Sequence, residues 1–147
     1  MKKISKNTKE TGEIAKIFLE KILKTSAKQK GALVVALSGD LGAGKTAFTQ
    51  AVGKHLGLKD KIKSPTFVIF KKYKIKSKKY KFLYHFDAYR LKNEKELLHL
   101  GWEEIIGNKE HIVFIEWPEN VSGVIPSNAR YIYISHKEKG HRSLELK

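Results

Sequence analysis

The run Gly39-Asp40-Leu41-Gly42-Ala43-Gly44-Lys45-Thr46 constrains this chain more than any other stretch. It has the form G-x-x-x-x-G-K-[ST]. Before it lies Ala32 to Leu37, a continuous apolar run that reads as a strand buried on both faces. After it, Lys45 to Leu56 reads as a helix stopped near Gly57. Strand, glycine-rich turn and helix in that order make a phosphate loop. Glycines allow backbone angles closed to other residues, so successive N–H groups can converge on an anion at a helix N-terminus. Lys45 then reaches the β- and γ-phosphates, and the Thr46 hydroxyl is placed for Mg²⁺.

Such a loop needs acids for the metal and for water. Two stand at predicted strand ends: Asp87 after Tyr84-His85-Phe86, and Glu116 after Ile112-Val113-Phe114-Ile115. In a parallel sheet the strand carboxyl ends line the ligand crevice. Glu116 has the setting of a Walker B acid. The His85-x-Asp87 spacing has no second paired histidine to make a transition-metal site. Trp117 stands beside the acid, before Pro118. Ser64-Pro65-Thr66 lies between a helix and a strand, where Pro65 fixes its own backbone and extends Ser64, presenting two hydroxyls from a shaped loop.

The remaining pattern predicts one α/β domain over residues 1–147. Residues 1–6 read as a strand anchored by Ile4. Asn7 and Glu10 are spaced as a capping box for a helix running to about residue 25, along which Ile14, Ile17, Phe18, Ile22 and Leu23 recur at helical spacing. Residues 67–75 and 80–86 read as a hairpin with its tip at Ser77-Lys78-Lys79. Asn93 caps a short helix ended by Gly101. His111 to Ile115 is a buried strand, and Ala129 to Ser135 with Arg142 to Leu146 close the sheet. The expected architecture is a three-layer P-loop NTPase-like domain, with a mixed, largely parallel sheet between helices.

Composition sets the limits. Leu, Ile, Val and Phe number 42 of 147 residues, enough for one real core rather than a disordered chain. No cysteine is present, which excludes disulfides, thiolate metal sites and a thiol nucleophile. No apolar run is long enough to span a bilayer. The basic N-terminus lacks an apolar segment after it, so a cytoplasmic protein is expected. Net charge is +15, from 27 Lys and 3 Arg against 15 acids. Residues 71–81 hold seven lysines and no acid. Two readings stand for them: nonspecific tRNA contact by interleaved cations and aromatics, or protection of a sheet edge.

Four stretches together resemble the TsaE (formerly YjeE) family of bacterial ATPases, which serves synthesis of tRNA threonylcarbamoyladenosine. They are Gly39 to Thr46, Ser64-Pro65-Thr66-Phe67, His85-Phe86-Asp87-Ala88-Tyr89-Arg90-Leu91, and Glu116-Trp117-Pro118. The resemblance implies ATP and Mg²⁺ as cofactors, with Thr46 and Glu116 holding the metal. It implies that Asp87 is needed for hydrolysis, that Ser64 and Thr66 belong to a switch-like loop near the γ-phosphate, and that Trp117 lies near the nucleotide. The implied partners are the threonylcarbamoyl-transferase and its inactive paralogue, of the TsaD and TsaB type. Departures are Ala47 where the family often has a second threonine, Ala88 where it often has leucine, and Gly140-His141-Arg142 where it tends to show Gly-Arg. Either His141 or Arg142 is thus the residue approaching ATP, with an adenine contact near Thr8. The rival readings are a small P-loop kinase, which the shortage of arginine disfavours, and a basic RNA-binding module with a vestigial nucleotide site.

Overall fold

The computed structural model describes residues 1–26, 29–59, 62–63 and 68–147. Among the described residues seven strands form one sheet: β1 (Lys2–Ser5), β2 (Leu33–Ser38), β3 (Phe70–Lys74), β4 (Phe82–Asp87), β5 (His111–Glu116), β6 (Arg130–His136) and β7 (Arg142–Leu146). Their spatial order is β1-β7-β6-β2-β5-β4-β3. The four central strands are parallel: β2 pairs with β5 and β6, and β4 with β5. The flanking pairs β6–β7, β7–β1 and β4–β3 are antiparallel. This is the mixed sheet expected from the sequence.

Four α-helices among the described residues cover the faces: α1 (Thr8–Thr25), α2 (Lys45–His55), α3 (Lys95–His99) and α4 (Trp102–Ile106). The alternation of β2 and β5 divides the core. Leu33, Val35, Leu37, Ile112 and Phe114 pack with Phe18, Ile22, Phe48 and Val52 of α1 and α2. Val34, Ala36, Val113 and Ile115 pack with Leu97, Trp102 and Ile105 of α3 and α4. Strands buried on both faces need this, and it explains their unbroken apolar runs.

Helix α1 starts where its cap requires. Asn7 is extended, and its Oδ1 accepts the Glu10 N–H at 2.9 Å. Thr11, Ile14, Ala15, Phe18, Leu19 and Ile22 form the buried stripe. Two expected anchors do not hold. Ile4 is 49% exposed and Ile17 is 40% exposed. Strand β1 is an edge, and the residue it buries is Ser5, whose hydroxyl meets that of Thr11 at 2.7 Å. Tertiary contacts here override the apolar pattern.

Three features lay outside the sequence reading. After Gly101, at φ +84°, the chain starts α4 instead of running loop to β5. Trp102 becomes a fully buried centre of the second core, its indole N–H donating to Val124 O at 3.0 Å. Residues Pro118–Val124 form a 3₁₀ segment. Strand β3 begins at Phe70, so Val68 and Ile69 precede it, and Phe67 lies outside the described residues.

Candidate nucleotide site

The strand periodicity builds the site. On β4 and β5, His85, Asp87 and Glu116 share the face of Leu83, Ile112 and Phe114, the face covered by α1 and α2. Asp87 and Glu116 are register partners at the carboxyl ends of adjacent parallel strands. The loop between β2 and α2 arrives at the same sheet end, because β2 pairs with β5 so that Leu37 faces Glu116. A cleft of about 250 Å³ results, lined by residues of the glycine-rich loop with Asp87, Tyr89, Glu116 and Trp117.

The loop conformation matches its sequence. Gly42 and Gly44 have φ of +75° and +107°, the left-handed region that side chains resist. Gly39 is required for a different reason: a Cβ there would lie 2.4 Å from the Ile134 carbonyl oxygen on β6. Ala43 is fully buried beneath the loop, and its N–H donates to Asp40 O at 3.0 Å. Leu41 is exposed at the tip.

Lys45 is buried at the first position of α2. Its ammonium donates to the carbonyl of Gly39 and, at 3.4 Å, to that of Asp40, and sits 4.1 Å from the centre of the Trp117 ring. Removal from water lowers its pKa below the usual lysine value, while Glu116, Asp87, Glu119 and Asp40 act in the opposite sense. Removal from water likewise raises Asp87, against the Tyr89 N–H that its Oδ1 accepts at 3.0 Å. One cation facing several acids in a partly dry cleft is an arrangement that an entering polyphosphate and a divalent cation would complete.

Glu116 is almost wholly buried, and its Oε2 lies 2.6 Å from Nε2 of His85. His85 is fully buried and fixes this carboxylate from the adjacent strand. Its Nδ1 has no partner among the described residues. The sequence placed His85 beside Asp87; the sheet register pairs it with Glu116 instead. Ser38, at the end of β2, donates its hydroxyl to Glu119. Trp117 has φ +58° and ψ +50°, a conformation uncommon for a bulky residue, and its ring lies 5.1 Å from that of Tyr89. The contact of Glu119 with Ser38 and the pairing of His85 with Glu116 escaped the sequence reading, since strand order brings them in; Tyr89 stood in the stretch His85 to Leu91 without a role.

A second cleft, about 130 Å³, lies on the other side of Gly44. Ser5, Thr8, Thr11, Ala47, Gly140 and Arg142 are among its lining. The structure thus brings together Thr8, Ala47 and Arg142, which the sequence singled out separately. Arg142, rather than His141, lies against the loop: a Cβ on Gly44 would meet its Nε at 3.0 Å. His141 is absent from that lining. Arg142 starts β7, so an arginine remote in sequence stands beside the loop in space. Ser64, Pro65 and Thr66 lie outside the described residues.

A family model described as "Threonylcarbamoyl adenosine biosynthesis protein TsaE" matches residues 5–144. The chain belongs to the TsaE family. The TsaE protein of Haemophilus influenzae is 36% identical over 131 residues, covering 89% of this chain and 78% of that one. The TsaE protein of Bacillus subtilis is 34% identical over 138 residues, 94% of this chain and 79% of its own. The crystal structure of Bacillus subtilis YdiB superposes with a TM-score of 0.72 at 29% identity, over 99% of this chain and 83% of that one. As a TsaE protein, the chain has a role in tRNA threonylcarbamoyladenosine biosynthesis.

Proposed function

We propose that this TsaE chain is a Mg²⁺-dependent P-loop ATP hydrolase. The observation that carries the reading is the meeting of the Lys45 ammonium, the Glu116 and Asp87 carboxylates and the glycine-rich loop in one cleft. The donor set suits the ligands. Thr46, Glu116 and Asp87 offer hard oxygens of the kind Mg²⁺ takes, and no group of three or more His, Cys, Asp or Glu fit to hold a metal occurs among the described residues. Mg²⁺, when bound with ATP, would neutralise charge on the phosphates. At Gly42, with φ +75°, a Cβ would meet nothing within 4 Å, so the turn is open on that side.

In this reading, Lys45 exchanges the carbonyls of Gly39 and Asp40 for the β- and γ-phosphates. His85 keeps the Glu116 carboxylate in one orientation, so that no side-chain reordering is needed when the metal arrives. Asp87 orients water or metal. Trp117 caps the cleft over Lys45. Gly44, Ala47, Thr8 and Arg142 receive the nucleoside side. Ser64 and Thr66, which lie outside the described residues, keep the role of water positioning that the family resemblance implies.

Groups from β4, β5 and a separate loop must align before water is attacked, and such a site is left incomplete until something orders it. The partners that order it are the threonylcarbamoyl-transferase and its inactive paralogue, with which this chain forms a complex in the cytoplasm. Among the described residues no helix is long and apolar enough to cross a membrane. Turnover is therefore slow in the isolated chain and rises when the partner pair is titrated in at fixed ATP. A flat response, with complex formation shown separately, would remove partner activation from the account.

A further inference from the structure

Between residues 54 and 81 the chain holds eleven lysines and one acid, Asp60. This fifth of the sequence therefore supplies ten of the fifteen net positive charges. The concentration exceeds what an edge strand needs for protection, because it begins before β3, with Lys54, Lys59 and Lys63 exposed. The fold joins the two parts. The Lys76 N–H donates to Leu56 O at 3.3 Å, just past α2, and Gly57, Lys59, Lys72, Tyr73, Lys74 and Lys76 line a shared groove of about 470 Å³.

We infer that this groove is an RNA-binding surface that holds the phosphate backbone. Lys72 and Lys74 project from one face of the strand about 6.6 Å apart, a step comparable to that between neighbouring phosphates of one RNA strand. Among the described residues strand β3 pairs with β4 alone, so its other edge carries no strand of those residues. Lys59, Lys74 and Lys76 enter no ion pair among the described residues, whereas Lys81 is held by Glu110 at 3.1 Å. Tyr73 lies half-buried on the opposite face of the strand, packed against the first core.

The groove is at the far end of the molecule from the phosphate loop. Lys74 is the register partner of Phe82, five residues from Asp87 along β4, about 17 Å at 3.3 Å per residue. Helix α2, with Lys45 at one end and His55 at the other, separates the two by about 15 Å. RNA contact here is independent of the nucleotide cleft, so it stands whether or not that cleft hydrolyses ATP.

The test uses an unmodified tRNA transcript, read by fluorescence anisotropy between about 50 and 200 mM salt. Four variants of the full chain are compared: Lys59→Gln, Lys74→Gln and Lys76→Gln combined; the same three changed to Arg; Lys16→Gln, Lys21→Gln and Lys24→Gln combined on the exposed face of α1; and Lys45→Ala. The groove triple should bind at least about ten-fold more weakly, with a salt slope shallower by about two, as expected for three lost phosphate contacts. The arginine triple should bind like the parent, and the α1 triple should change little despite the same loss of charge. Lys45→Ala should bind tRNA like the parent. Equal weakening by both glutamine triples would overturn the groove and leave only bulk charge, and absence of tRNA binding by the parent at low salt would overturn it outright.

Discussion

Asp87 is half-buried at the end of β4, opposite Glu116, and removal from water raises its carboxyl above the usual range. Between the usual value and the raised one, the folded state holds the proton more tightly than the unfolded state. Stability therefore falls as pH rises through that window. Asp87→Asn keeps the acceptor for the Tyr89 N–H and loses the ionisation. Its stability relative to the parent should improve from about pH 4 upward, while its ATP turnover is lost. Urea midpoints of both proteins across that range, without nucleotide, check the sign; a parent that gains on the variant as pH rises would contradict it. Trp117 gives a second test at this scale. Its ring covers Lys45 at the cleft, whereas Trp102 is fully buried and bonded to Val124 O. ATP should change the tryptophan emission of the parent, and Trp117→Phe should abolish that change. A signal kept by Trp117→Phe would place the reporter elsewhere.

The strand–loop–helix unit of β2, the glycine-rich loop and α2 stands on β6 as much as on itself. A methyl group on Gly39 would fall 2.4 Å from the Ile134 carbonyl, which belongs to β6 and cannot give way alone. Gly39→Ala should therefore displace the loop, costing about 1–3 kcal/mol by denaturant unfolding and weakening ATP binding together with it. A variant with parental stability and affinity would show that the loop has room. This unit was legible in the sequence because its signals are local: an apolar run, glycines at fixed spacing, a helix with a stop. Glu116 and Asp87 were legible as acids at strand ends for the same reason. The pairing of His85 with Glu116, the approach of Arg142 to Gly44 and the bond between Ser38 and Glu119 were not. Each depends on which strands are neighbours, and the order β7-β6-β2-β5-β4 leaves no mark at the positions it joins. Ile4 and Ile17 misled because apolar spacing reports what a face could bury, and the edge of the sheet gives those two nothing to bury against. Helix α4 was hidden by its length of five residues, too short for periodicity to register.

Across the whole molecule, the two ends of the sheet carry opposite character. The carboxyl ends of β2, β4 and β5 gather acids around one buried lysine, and the other end of β4 and β3 carries a concentration of lysines, with Lys59, Lys74 and Lys76 around one groove. A chain that met both a nucleotide–metal complex and a polyanion would keep the two apart in this way, since phosphate attracted to the basic end cannot occupy the acid-lined cleft. The division holds only if the acid-lined end is the working one. The measurement that decides this is Mg²⁺-dependent ADP release by the parent and by Lys45→Ala, each with the partner pair present. The account predicts turnover by the parent and a loss of about 100-fold or more in the variant, with the variant folded to the same melting temperature within a few degrees. Parental ADP release by a folded Lys45→Ala protein would contradict the assignment of Gly39 to Thr46, with Glu116 and Asp87, as the site of hydrolysis.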